Sequence, residues 1–202
     1  MARSEWVRWG GLAALGAGAL TILYFLLSLA VGKGDQPGPL DILDILAMVL
    51  EVIALLGFHA LQGRNYGRIG RAGLYITIGA IVVFEFLILA YLFLGDVGIE
   101  WLVPVGVLGS LVGLVLYGAA TLQAGVLPRW CGILFIVFMP VGLLLGDLQP
   151  IWGGLVWVAL GYALLSQSSG AALQQPSRVR KTQFPRTMFG RCLENRGYLP
   201  TA

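Results

Sequence analysis

The sequence predicts an all-α membrane protein, a bundle of six transmembrane helices arranged as three hairpins with both termini in the cytoplasm. Three observations lead there. First, 58% of the 202 residues are hydrophobic and only 11% are charged, whereas a soluble domain commonly carries about 25% Asp, Glu, Lys and Arg. Second, the apolar residues come in long runs, giving a mean hydropathy of +0.85, and a hydrocarbon core about 30 Å thick takes roughly 20 residues of helix. Third, the basic residues gather in alternate gaps between the runs. The 29 glycines fit the same class, because Gly is commoner in membrane helices than in soluble ones.

The runs cover residues 10–31, 41–62, 73–94, 102–123, 130–146 and 151–167. Arg3 and Arg8 precede the first, in the manner of a signal peptide. Its length of about 21 residues exceeds the usual 7–15-residue apolar region, and no clear A-x-A site follows, so it reads as a span. Lys33 and Asp35 occupy the next gap. Pro39 then sets the start of the second run, where Asp41 and Asp44 can cap free N–H groups and complement the helix dipole. Arg64, Arg68 and Arg71 follow that run, Asp96 and Glu100 follow the third, Arg129 the fourth and Asp147 the fifth. Loops rich in Lys and Arg stay in the cytoplasm, which fixes both termini inside and three short loops outside. The fourth run carries Gly109 and Gly113 in a GxxxG spacing that permits close helix approach, as do Gly10, Ala14 and Gly18 in the first. Pro140 should kink the fifth and free a backbone carbonyl.

Residues 168–202 form a separate basic tail. It holds Arg178, Arg180, Lys181, Arg186, Arg191 and Arg196 against Glu194. To about residue 184 it reads as linker. "PRTMFGRCLENRG" then reads either as solvated chain or as a short amphipathic helix lying on the anionic inner leaflet. The formal charge of +3 thus speaks of topology and lipid rather than of nucleic acid. Cys131 and Cys192 both fall on the cytoplasmic side, so no disulfide framework is expected.

A short pattern recurs three times. "RWGGLAAL", "RAGLYITI" and "RWCGILFI", beginning at Arg8, Arg71 and Arg129, open the outward-going runs. "GFHALQ", "GAATLQ" and "GYALLS", beginning at Gly57, Gly118 and Gly161, close the inward-going ones. "GRIGRAGLYITIGA", "GVLPRWCGIL" and "VALGYALLS" resemble segments of small bacterial polytopic integral membrane proteins with an "LPRWLGW"-like cytoplasmic loop. The resemblance covers residues 10–167 and rests on loops. It implies a six- or seven-helix bundle in the bacterial inner (plasma) membrane and brings no activity with it. Cys131 and Gly132 stand where those proteins have a Leu-Gly pair, and the arginine-rich tail is outside the pattern.

Ionisable residues inside the runs are the candidate site. At about 100° per residue, Asp41, Asp44, Glu51, His59 and Gln62 fall within an arc of roughly 80°. This polar stripe should face the bundle interior, because a charge facing lipid costs on the order of 3 kcal/mol or more. His59, the chain's only histidine, and Gln62 lie in the last turn, where a cation suits the helix C-terminus. Glu51 in the second run and Glu85 in "IVVFEFLILA" both fall near the middle of their runs, and a short loop makes the two runs antiparallel neighbours. Two facing carboxyls could share a proton, bind a cation or neutralise an organic amine. They could equally be neutral groups that bond each other or the backbone.

The loop "GRNYGRIGRAG" lacks the G-K-[ST] end of a phosphate-binding loop and the strand context of a dinucleotide fingerprint. Its arginines Arg64, Arg68 and Arg71 can hold an anionic lipid headgroup at the cytoplasmic face, although retention of positive loops alone explains them. No cofactor, metal or catalytic set is expected. One histidine excludes bis-histidine haem and clustered zinc ligands, no lysine lies within a run to form a Schiff base, and no Ser-His-Asp set converges. The expected function is binding or transport of a small cationic solute or protons through Glu51 and Glu85, with Asp44 and His59 as further members of the stripe. The alternative is a non-catalytic scaffold or accessory subunit, its glycine seams meeting a second copy or another membrane protein.

Overall fold

In a computed structural model of the chain, residues 3–32, 38, 40–63, 65–95, 98–99 and 101–173 are described. They form α1 (Arg3–Val31), α2 (Asp41–Gln62), α3 (Gly67–Leu94), α4 (Leu102–Ala124), α5 (Arg129–Leu145), a 3-10 turn (Gly146–Leu148) and α6 (Gln149–Leu173). No strand occurs among the described residues. The basic tail beyond 173, Cys192 included, lies outside them, as do Arg64, Lys33, Asp35, Asp96 and Glu100.

Five helical stretches are long and apolar enough to cross a membrane, which marks a multi-pass membrane protein. The fifth runs from Arg129 to Gln167 and takes in both of the last two predicted runs. On its own α5 has 17 residues, about 25 Å of helix, and the chain then reverses at Gly146 (φ 53°), so that α6 returns alongside α5. Two helices also start earlier than hydropathy predicts. α1 begins at Arg3 and α3 at Gly67, so Arg68 and Arg71, expected in a loop, ride on the first turns of α3. Arginine is a good helix former whose long stem lets the charge leave the apolar zone.

Large apolar side chains cover the outer faces. Leu12, Leu23 and Leu26 on α1, Ile42, Leu46 and Val49 on α2, and Val82, Phe86 and Phe93 on α3 are all exposed, as lipid-facing positions must be. The inner contacts between neighbouring helices are made by glycine. A β-carbon on Gly10 of α1 would sit 2.5 Å from the Gly57 Cα of α2. One on Gly161 of α6 would sit 2.9 Å from the Gly11 carbonyl oxygen of α1. Gly73 and Gly113 lock α3 to α4, and Gly118 and Gly132 lock α4 to α5 at 2.6 Å. Such approach leaves room for hydrogen alone, and gains dispersion contacts between backbones. The threefold sequence pattern therefore has a physical content. Gly10 and Gly11, Gly73 and Gly132 in the opening motifs are matched by Gly57, Gly161 and Gly118 in the closing ones, except that Gly73 meets Gly113 and Tyr117 instead.

Aromatic rings fill the remaining interior space. Phe135 on α5 stands edge to face against Phe58 of α2 (5.4 Å between centroids), Tyr117 of α4 (5.2 Å) and Trp157 of α6 (6.4 Å). Tyr66 extends the chain from Tyr117, and Phe138 packs on Trp157. Edge-to-face pairs add about 0.5–1.5 kcal/mol each to the burial itself. Residues on either side of the 3-10 turn also meet. The Trp152 indole N–H donates to the Phe138 carbonyl at 3.1 Å, tying α6 to α5.

Polar groups inside the bundle are few. Thr121 Oγ1 donates to the Tyr117 carbonyl at 2.8 Å and accepts from Gln62 Nε2 at 2.9 Å, tying α2 to α4. The hydroxyl of Tyr117, by contrast, is fully buried without a partner. A buried hydroxyl with no hydrogen bond is destabilising, so Tyr117→Phe should raise stability by about 1 kcal/mol while keeping the ring contacts. Thermal unfolding in detergent checks this, and a clear loss of stability would show that the hydroxyl has a partner after all.

Candidate ion-binding site

The polar stripe of α2 points inward, as its 100° spacing requires. Asp41 and Gln62 are buried and Asp44, Glu51 and His59 half-buried, while Ile42, Leu46, Val49 and Leu56 face outward. The structure divides the stripe into three parts with different partners.

Asp41 is architectural. Its carboxylate accepts the Tyr24 hydroxyl of α1 at 2.9 Å and the Gly38 N–H at 2.5 Å. The second contact holds the chain that leads into the helix, three residues before Asp41.

Asp44, Glu51 and Glu85 come together as the second part. The carboxyl groups of all three lie within electrostatic reach of one another. Both oxygens of Glu85 are buried without a hydrogen-bond partner. The Trp157 indole N–H, buried and without a partner in hydrogen-bond geometry, lies beside Glu51. Glu85 is not at the centre of its helix. Because α3 starts at Gly67, its midpoint falls some five residues before Glu85, about 7 Å along the axis. Glu85 therefore lies toward the level of Asp44, near the start of α2. Also, α2 and α3 touch only sparsely, since no glycine seam joins them, and this leaves the carboxyls facing a loose contact.

His59 belongs to neither group. Eight residues beyond Glu51, about 12 Å along the helix, its Nδ1 hydrogen-bonds the Tyr66 hydroxyl, with the two rings edge to face. Gly70 makes this possible, because a side chain there would collide with the Tyr66 ring. A cavity of about 340 Å³ lies next to the pair, lined by His59, Ala60, Gly63, Arg71 and Tyr75. Of the predicted arginines, only Arg71 is placed in its lining. Arg68 is exposed on the same helix, and Arg64 lies outside the described residues. No set of three His, Cys, Asp or Glu among the described residues is close enough to hold a metal ion.

No protein-family model, curated protein or solved structure matches the chain. The chemistry of the carboxyl group must therefore stand on its own geometry. Three carboxyls share one apolar region, and burial of charge there requires a proton or a cation as compensation. Sequence reasoning found all three but missed Trp157. A tryptophan in α6, far along the chain from all three carboxyls, gives no local signal of its position. Tyr66 and Tyr75 were missed likewise, since their place beside His59 depends on how the turn after Gly63 folds.

Proposed function

We propose that the protein binds and carries protons or a small cationic solute at Asp44, Glu51 and Glu85. In this reading it crosses the plasma membrane six times as three hairpins, with both termini in the cytoplasm. The observation that supports it most directly is Glu85, whose two carboxyl oxygens are buried, unpartnered and within reach of two further carboxyls. A group retained only to lock helices together would be expected to spend those oxygens on hydrogen bonds. A cation between α2 and α3 would satisfy them, and the loose contact between these helices gives it a way in.

The test uses the full chain in liposomes with an entrapped pH indicator, a potassium gradient and valinomycin to drive protons inward. Radiolabelled methylammonium serves as the probe for a cationic solute. The double variant Glu51→Gln, Glu85→Gln is expected to slow uptake of at least one probe about tenfold or more, with unchanged helical circular dichroism and elution volume. Equal uptake by wild type and variant, for both probes, would sink the reading. The glutamates would then serve helix pairing in a membrane scaffold or accessory subunit.

A further inference from the structure

Outside the carboxyl group, the cavity of about 340 Å³ where α2 passes into α3 carries a second and opposite chemistry. Among the described residues its lining holds no acidic side chain and two nitrogen bases, His59 and Arg71, which lie within electrostatic reach of each other. A guanidinium beside a neutral imidazole gives the cavity one positive charge and a further N–H donor, a combination that suits an anion. Arg71 makes one side-chain hydrogen bond among the described residues, from Nε to the Gly67 carbonyl at 3.5 Å. Its terminal nitrogens remain uncommitted there.

The neighbouring groups set the polarity of His59. Burial pushes the Tyr66 phenol above its usual range, with Tyr75 adding to the effect and Arg71 opposing it. The phenol thus stays protonated, and with it as donor to Nδ1 the ring proton sits on Nε2, available as a second donor. The carbonyl of His59, which would otherwise repel an anion, is closed by the Gly63 N–H at 2.9 Å. Gly63 turns the chain at φ 59°, conformational space that glycine occupies freely, and so keeps the mouth clear of a side chain. Tyr75 stands at the rim, largely exposed, where an amphipathic ring suits a headgroup region.

The geometry points to a binding site for a phosphate anion, free or borne by a lipid headgroup, held by the Arg71 guanidinium and the His59 imidazole. Bidentate pairing with phosphate oxygens is what a guanidinium fork does best. The cavity volume lies at the lower end of the range of about 300–1,000 Å³ found for small-ligand sites. The inference does not depend on the carboxyl site and survives its failure.

Native mass spectrometry of the full chain, released from detergent, tests it with two probes. Phosphatidylglycerol reports the lipid source, and inorganic phosphate, read also by thermal shift, reports the free ion. Wild type is expected to bind at least one of them. Arg71→Gln should weaken that binding about tenfold or more, and Arg71→Lys, which keeps charge but loses the fork, by an intermediate factor. Arg68→Gln, on the same helix but absent from the lining, should leave it unchanged. Thermal unfolding without ligand should be the same for all three variants, because both arginines are exposed. Binding of neither probe would overturn the proposal. So would equal losses in Arg68→Gln and Arg71→Gln, which would mean diffuse attraction to a basic helix end.

Discussion

One methyl group added at Gly57 is expected to destabilise the bundle by about 1–3 kcal/mol or more, the range for overpacking in a closely packed interior. The new β-carbon would have the Gly10 Cα 2.5 Å away and the Trp6 carbonyl oxygen 3.3 Å away. Both are backbone atoms and cannot rotate aside. Restoring ordinary carbon–carbon contact at about 3.5–4.0 Å requires α1 and α2 to part by about 1 Å, which forfeits a quarter to a half of the dispersion well along the seam. The same change at Gly79 of α3 meets nothing within 4 Å. There, Gly79→Ala gains helix propensity, up to about 1 kcal/mol. Parallel unfolding of the two variants in detergent decides the matter. Losses of equal size would show that the Gly10–Gly57 approach is not what holds the two helices.

Phe135→Ala is expected to cost about 3–5 kcal/mol, as for a fully buried phenylalanine. The ring is 1% exposed and touches rings from α2, α4 and α6. Its removal opens a cavity where three helices converge, and no single side chain can swing in from all sides. Phe135→Leu fills part of that space and should cost clearly less. Phe86 supplies the control, because it is 57% exposed on the lipid-facing side of α3. Its replacement by alanine should change stability little. A Phe135→Ala variant no less stable than Phe86→Ala would place the centre of packing elsewhere.

The helices were legible in the sequence because run length reports membrane thickness directly. Their starts were not. Arg3, Arg68 and Arg71 lower hydropathy without ending a helix, so α1 and α3 each extend beyond the apolar run by a turn or two. That error propagated to the site. The facing direction of Glu51 followed from the periodicity of α2, whereas the level of Glu85 depended on where α3 begins. The separation of His59 from Glu51 was visible in their spacing. Its company with Tyr66 and Arg71 was not, because it is produced by the turn at Gly63 and the space above Gly70. The repeated motifs were visible as letters. Only contacts could show that the glycines within them meet in pairs.

The distribution of glycine and aromatic contacts also has a mechanical meaning. Helices joined at backbone distance behave as welded, since a shift of even 1 Å empties or jams the seam. Edge-to-face rings tolerate centroid separations from about 4.5 to 7 Å and can roll while staying in contact. Glycine welds α1 to both α2 and α6, and α4 to both α3 and α5. Rings, with the Gln62–Thr121 and Trp152–Phe138 hydrogen bonds, join one triplet to the other. The bundle is thus two stiff bodies meeting along a compliant line, and Glu51 and Glu85 stand on opposite sides of it. A rocking of one body on the other would change the distance between these carboxyls while leaving every welded pair intact.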